Sequence, residues 1–369
     1  SEERFITEKE AESGTYRDIK KIKEKNYFFK MSKYQDQLIN HINTNQKFIQ
    51  PKHRKNEILG FLNKPLNDLC ISRPKSRLNW GIELPFDNNY VTYVWFDALI
   101  NYITAAGYGF DDENFNKRWP ASYHLIGKDI LTTHAVYWPT MLMSAEIKLP
   151  ESIFAHGWWL MGESKMSKSL GNVINPMDLI DDYGVDPVRY YLMREMVLGQ
   201  DSNFTMESFI QRYNSDLAND FGNLLSRVTT LIKKNYDGKI PEPGEYLESD
   251  LQIRLKGESL SSKVEMLIGE MRLNEAIEDI MQYIRTVNKY MEDNAPWKLV
   301  KEDKVAAGRI LYVAGEALRL GAVLLSPVMP HRTGILLDAL NAHDTDTSWG
   351  RLSSNSLLKD HEPLFPRIK

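Results

Sequence analysis

The sequence predicts an α/β region followed by an all-helical region. Between residues 76 and 160, three short β-branched and aromatic runs alternate with helical patterns, as in a parallel sheet with crossover helices. From Met206 onward, apolar residues recur every three or four positions, the period of a buried helix face. The chain's 369 residues, 42% hydrophobic, suffice for two or three domains and are too apolar for a disordered chain.

Residues 1–75 are polar. Arg17, Lys20, Lys21, Lys23, Lys25 and Lys30 cluster there, interrupted by the aromatic patch Tyr27-Phe28-Phe29. Weak alternation predicts short strands, then a helix near 32–42. The basic cluster reads first as a solvated face and second as an RNA contact. Tyr90 to Phe96 reads as a buried strand, with Asp97 as N-cap of a helix carrying Ala98, Leu99, Tyr102 and Ile103. Tyr123 to Ile126 is a second strand, closed by Gly127 and followed by one helix over 129–143. Ser152 to Trp158 is a third. Three strands are too few for a complete doubly wound sheet. Residues 161–205 read as a polar loop with short elements. Phe209, Tyr213, Leu217, Phe221, Leu224, Leu225, Val228 and Leu231 then mark a helix. A Gly/Pro connector over 236–244 separates it from helical patterns at about 250–293 and 305–340, giving an antiparallel bundle. The expected divisions are 1–75, 76–160, 161–205 and 206–369.

The 46 basic and 50 acidic side chains leave a net charge of −4. That excludes a generally basic nucleic-acid coat but leaves room for local basic surface. Cys70 is the single cysteine, so internal disulfides and a cysteine-pair zinc knuckle are excluded, and no protein-bound zinc is expected. No apolar run approaches the ~20 residues of a membrane span. The opening Ser1-Glu2-Glu3-Arg4 shows no secretory leader, and the expected location is cytoplasmic.

The sharpest local signal is Lys165-Met166-Ser167-Lys168-Ser169, continuing Leu170-Gly171-Asn172. Two ammonium groups and two hydroxyls within five residues suit a polyphosphate whose charge grows in a transition state. The alternative is an exposed polar loop, although average residue frequencies give this pentapeptide by chance in a chain of this length only about once in ten thousand.

This run resembles the signature loop of class I aminoacyl-tRNA synthetases. Gly127 and Asp129, after the second strand, resemble that class's ribose-binding segment. His156-Gly157 resembles its adenine-binding strand end. The resemblance implies an ATP-binding set of Gly127, Asp129, His156, Gly157, Lys165, Ser167, Lys168 and Ser169. Lys168 and Lys165 would act on the pyrophosphate of ATP·Mg²⁺.

Two blocks, 94–102 and 128–138, are similar to the side-chain pocket of the methionyl-tRNA synthetase family. The residues concerned are Trp95, Ala98, Tyr102, Ile130, His134 and Trp138. A thioether is unbranched, polarisable and a poor acceptor, so an aromatic box with one or two weak donors suits it. Ala98 and Tyr102 are spaced i, i+4 as on one helix, and Ile130, His134 and Trp138 as on the next. The alternative is that these aromatics are core. Thr133 stands where the family commonly has an aromatic residue.

In the helical region Asn223, Arg227, Pro296 and Trp297 resemble the family's anticodon readers. An indole to stack on and amide and guanidinium groups to read base edges are the chemistry of single-stranded RNA recognition. Trp297 reads equally as a core tryptophan. Arg73 also matches the family, at a position that would touch the tRNA acceptor end. Six other histidines, at 41, 53, 124, 331, 343 and 361, read as bland surface or core residues, and no Ser-His-Asp or metal-ligand cluster stands out.

Class I synthetases carry a second signature, His-x-Gly-His, and none of the eight histidines here forms it. The resemblance therefore implies the second half of a Rossmann-type fold with the remainder of a connective insertion, followed by an α-helical anticodon-binding bundle. The partners it implies are methionine, ATP, tRNA(Met) and an N-terminal segment or separate chain bearing His-x-Gly-His, with no membrane. The implied function is methionine–tRNA ligation. The alternatives are a synthetase-derived tRNA-binding subunit without independent catalysis, or a class I synthetase for another apolar amino acid.

Overall fold

A computed structural model describes residues 24–161, 164–165 and 174–368. They divide into two units between Ala155 and His156. The first unit runs through β1 (Phe28–Phe29), α1 (Gln35–Thr44), β2 (Ile49–Gln50), α2 (Lys52–Leu62), β3 (Leu69–Cys70), β4 (Ser72–Pro74), β5 (Glu83–Leu84) and β6 (Asp87–Thr92). It continues through α3 (Val94–Ala98), α4 (Asn101–Ala106), α5 (Asp112–Arg118), β7 (His124–Gly127), α6 (Trp138–Ser144) and β8 (Ile153–His156).

The parallel sheet has the order β2–β8–β7, with Ile49 opposite Ile153 and Gln50 opposite Phe154. One of its strands thus comes from the polar opening region rather than from the run at 90–96. Leu38 and Ile42, four apart on α1, pack with Ile58, Leu62, Ile126 and Ile153 as its core.

The expected strand over 90–96 is split. β6 lies between β4 and β5 in an antiparallel sheet, and its last pairing is Thr92 opposite Ser72. Beyond it the Tyr93 carbonyl accepts from the N–H groups of Phe96 and Asp97 and starts α3. Trp95 and Phe96 are therefore helical despite their strand propensity, because the partner strand has ended. Asp97 is not the N-cap; Tyr93 holds that position, and Asp97 lies inside α3.

The expected helix over 129–143 is also divided, into a 3₁₀ turn at Lys128–Ile130, a π segment at Thr133–Tyr137 and then α6. Pro139 follows the π segment and has no N–H to donate into the preceding turn, which favours a change of register there.

The second unit begins with β9 (Trp159–Met161), β10 (Ser164–Lys165), α7 (Pro176–Tyr183), α8 (Val185–Glu195) and β11 (Ser202–Asn203). β9 pairs antiparallel with β10 and parallel with β11. The short elements expected within 161–205 are thus two helices, whose Leu179, Val188 and Tyr191 bury against Phe204 and Phe209. The exposed Asp178, Asp181 and Asp182 of α7 masked that apolar side.

The rest is α9 (Met206–Arg212), a π segment (Tyr213–Gly222), α10 (Asn223–Asn235), α11 (Glu248–Gly269), α12 (Leu273–Asn294), α13 (Pro296–Leu299), α14 (Lys304–Leu325) and α15 (Pro330–Ala339). Each of the two longest predicted patterns is thus a pair of helices. The first breaks at Met271, whose φ of 59° ends a helix run. Phe221, Leu225, Ile253, Ile284 and Leu318 from different helices meet in one core. Residues 341–368 contain no helix, yet Leu352, Leu358, Leu364 and Phe365 bury against that core. No helix among the described residues is long and apolar enough to cross a membrane.

Candidate functional site

Four elements of the first unit bring four rings together. β7 alternates, turning His124 and Ile126 inward and Leu125 outward. The π segment then presents His134, α6 opens on Trp138, and α4 supplies Tyr102. Ring centroids lie 4.3 Å apart for Tyr102 and His124, 5.7 Å for Tyr102 and His134, and 6.1 Å for Tyr102 and Trp138.

The hydrogen bonds fix the proton positions. His134 Nδ1 lies 2.9 Å from the Ile130 carbonyl, which can only accept, so Nδ1 carries a proton. In the neutral ring, Nε2 then accepts from the Tyr102 hydroxyl, 2.9 Å away. Burial lowers the His134 pKa and outweighs the opposing bond to Ile130. Burial also raises the Tyr102 pKa. The Trp138 Nε1–H donates to His124 Nε2 at 3.1 Å. A recess of about 270 Å³ opens beside the rings, lined in part by Tyr102, Trp119, Tyr123 and His124. Aromatic walls and few committed donors suit an unbranched, polarisable side chain.

Of the residues the sequence proposed for this pocket, Tyr102, Ile130, His134 and Trp138 are joined by these contacts. Trp95 and Ala98 stand half-buried on α3. Ala98 and Tyr102 do not share a helix, because α3 ends at Ala98 and α4 starts at Asn101. The π segment likewise replaces the expected single-helix spacing of Ile130, His134 and Trp138. His124, a surface or core histidine by its sequence, is buried in this cluster, and Trp119, which no motif singled out, joins it with its ring 5.9 Å from His124 and 6.3 Å from Trp138. Period-two alternation in the run 123–126 was the available signal for His124.

Gly127 ends β7, and Asp129 is exposed on the turn that follows. His156 ends β8, with Nδ1 2.7 Å from the Gly157 carbonyl. Gly157 has no room for a side chain: a Cβ there would lie 2.0 Å from the Gln200 carbonyl oxygen. Lys165 lies on β10. Ser167, Lys168 and Ser169 lie outside the described residues. Arg73 donates to the Ser72 carbonyl at 2.8 Å and lies over the Tyr93 ring, 4.4 Å from its centroid.

In the second unit, Asn223 is exposed at the start of α10 and Arg227 lies four residues along it. Ala295, in the left-handed region at φ 40°, ends α12 and turns the chain into Pro296 and Trp297. The turn brings the Trp297 ring to the Arg227 guanidinium, 5.1 Å from the centroid.

Residues 7–229 match the family described as "tRNA synthetases class I (M)", and residues 240–362 match "Anticodon binding domain of methionyl tRNA ligase". The chain belongs to the methionyl-tRNA synthetase family. Its similarity to the methionine–tRNA ligase of Clostridium acetobutylicum is 45% identity over 99% of this chain and 58% of that protein. The ligase of Thermotoga maritima is 41% identical over 100% of this chain and 58% of that protein. The chain thus spans well under two thirds of the length of these relatives. Mycobacterium tuberculosis methionyl-tRNA synthetase, solved in complex with methionyl-adenylate, superimposes with a TM-score of 0.89 at 40% identity, covering 93% of this chain and 69% of that one. The Rossmann-like α/β region followed by a helical anticodon-binding domain is the fold of this family.

Proposed function

We propose that the chain carries the methionine pocket, the pyrophosphate loop and the anticodon surface of a cytoplasmic methionine–tRNA ligase. The observation that carries this reading is the Tyr102–His134–Trp138 ring cluster, hydrogen-bonded from within and standing at positions that resemble the family's side-chain pocket. Trp95, Ala98 and Ile130 complete the pocket.

The methionine carboxylate attacks the α-phosphate of ATP·Mg²⁺, forming methionyl-adenylate and releasing pyrophosphate. A hydroxyl of the terminal tRNA(Met) adenosine then attacks the activated carbonyl, forming the ester and releasing AMP. Positioning and charge stabilisation carry both steps, with no covalent enzyme intermediate. Lys168 stabilises the departing pyrophosphate, with Lys165 assisting, and Ser167 and Ser169 donate hydrogen bonds to it. Asp129 and Gly127 bind the ribose or the substrate amine, and His156 and Gly157 flank the adenine. Asn223, Arg227, Pro296 and Trp297 read the anticodon, and Arg73 contacts the acceptor end. His-x-Gly-His is absent from the sequence, so on its own the chain is a poor adenylating catalyst and needs a partner segment bearing that motif.

Charging of tRNA with methionine, leucine or cysteine tests the reading. The chain supplied with a His-x-Gly-His polypeptide is expected to charge methionine alone. Charging of leucine or cysteine in its place would overturn it.

A further inference from the structure

His124 is the most deeply built-in histidine that the family resemblance leaves without a role. It is 5% exposed and accepts the Nε1–H of Trp138, itself 1% exposed. An indole N–H only donates, so His124 Nε2 is unprotonated and the neutral ring carries its proton on Nδ1. Burial, and secondarily the neighbouring His134, push the His124 pKa down to about 4, so the ring remains an acceptor at neutral pH.

The mount for this ring is rigid. The His124 main-chain N–H donates to the Ser152 carbonyl at 2.8 Å, beside the central strand of the parallel sheet. Its ring lies against Tyr102, and Trp119 beside it is fixed by its own indole N–H to the Lys148 carbonyl at 2.8 Å. A line of contacts therefore runs from the sheet through His124 to Trp138 and Tyr102. Without the acceptor, the buried indole N–H either turns toward another partner, which moves a wall of the pocket, or stays unpaired, which leaves that wall without its hold.

We propose that His124 is a positioning residue for amino acid selection: by accepting the Trp138 indole N–H it holds Trp138 and Tyr102 at the spacing that fits an unbranched thioether. The proposal rests on the methionine reading of this pocket.

The test is pyrophosphate exchange kinetics in the complete enzyme, with methionine and ATP varied separately. His124→Leu keeps the bulk and removes the acceptor, whereas His124→Gln places an amide oxygen near the position of Nε2. A shifted pocket wall that weakens binding by about 1.4 kcal/mol changes affinity about tenfold. His124→Leu is therefore expected to raise the KM for methionine about tenfold and to leave the KM for ATP within about twofold. It is also expected to reduce preference for methionine over norleucine, while His124→Gln restores both. In a Trp138→Phe background, which has no N–H to place, His124→Leu is expected to add little.

An unchanged methionine KM in His124→Leu would overturn the proposal, as would an equal effect on both substrates or a failure of His124→Gln to rescue. If His124→Leu does not fold, His124→Asn, whose shorter side chain offers no acceptor at the Nε2 position, takes its place with the same outcomes. Tyr102→Ala and Trp138→Ala separate the two claims. If both leave the methionine KM unchanged, the pocket reading itself fails; if they raise it and His124→Leu does not, only the positioning role fails.

Discussion

The guanidinium of Arg227 lies over the indole of Trp297, 5.1 Å from the ring centroid, and Glu292 lies 3.8 Å from the same guanidinium. Two residues 70 positions apart thus form one half-buried surface beside the exposed Asn223. A stacked base contributes about 1–3 kcal/mol. With the His-x-Gly-His segment supplied, Trp297→Ala is therefore expected to lower kcat/KM for tRNA about 10- to 100-fold while methionine-dependent pyrophosphate exchange keeps its rate. Parallel charging and exchange assays check this, and an equal fall in both would remove Trp297 from the tRNA surface.

Gly157 is confined by main chain. A Cβ there would meet the Gln200 oxygen at 2.0 Å and the Asp201 nitrogen at 2.6 Å, whereas Gly60 on α2 has nothing within 4 Å of its Cβ position. Gly157→Ala is expected to destabilise by at least about 2 kcal/mol, because backbone rather than a flexible side chain must move. Gly60→Ala is expected to stabilise by about 0.5–1 kcal/mol, by relieving the helix of a glycine. Denaturant unfolding of both variants measures the contrast.

Glu316 and Arg319 are both fully buried on α14. The Glu316 carboxylate accepts from Arg319 and from the main-chain N–H groups of Gly350, Arg351 and Leu352, at 2.9, 3.1 and 2.7 Å. Arg319 in turn donates to the carbonyls of Asp344, Asp346 and Ser348. The pair pins the irregular C-terminal stretch to the bundle. Glu316→Gln leaves the guanidinium without its counter-charge and is expected to cost about 3–5 kcal/mol. A shift in the unfolding midpoint worth less than about 1 kcal/mol would show that the pair is dispensable.

Stability should also depend on pH. His124 is held at about 4 by burial and by His134, and burial lowers His134 as well. Unfolded histidine titrates near 6.5, so below that pH the unfolded chain binds more protons than the native one. This contribution to stability is complete above pH 6.5 and falls away as the pH drops toward 4. A thermal midpoint that declines from pH 7 to 5, and less steeply in His124→Gln, is the expected result. A midpoint that rises over that range would contradict it.

The helical region was legible from its apolar period, because helices buried on one face must repeat at 3.6 residues. So were Tyr102, His134 and Trp138, which stand in compact blocks. The strand at 90–96 was misread because propensity cannot reveal where a partner strand ends, as Thr92 opposite Ser72 shows. The π segment before Pro139 and the π segment at Tyr213–Gly222 leave the apolar pattern almost unchanged, so neither was visible. His124 escaped because a single inward histidine on a four-residue strand differs from a core residue only by its partner, Trp138, which lies 14 positions away.

The decisive measurement is methionine-dependent exchange of pyrophosphate into ATP, on the chain alone and with a His-x-Gly-His polypeptide added. Exchange from the chain alone is expected to be negligible. With the added segment, exchange is expected to depend on methionine and to be abolished by Lys168→Ala. Full exchange by the chain alone, or exchange driven by another amino acid in place of methionine, would contradict the proposed function.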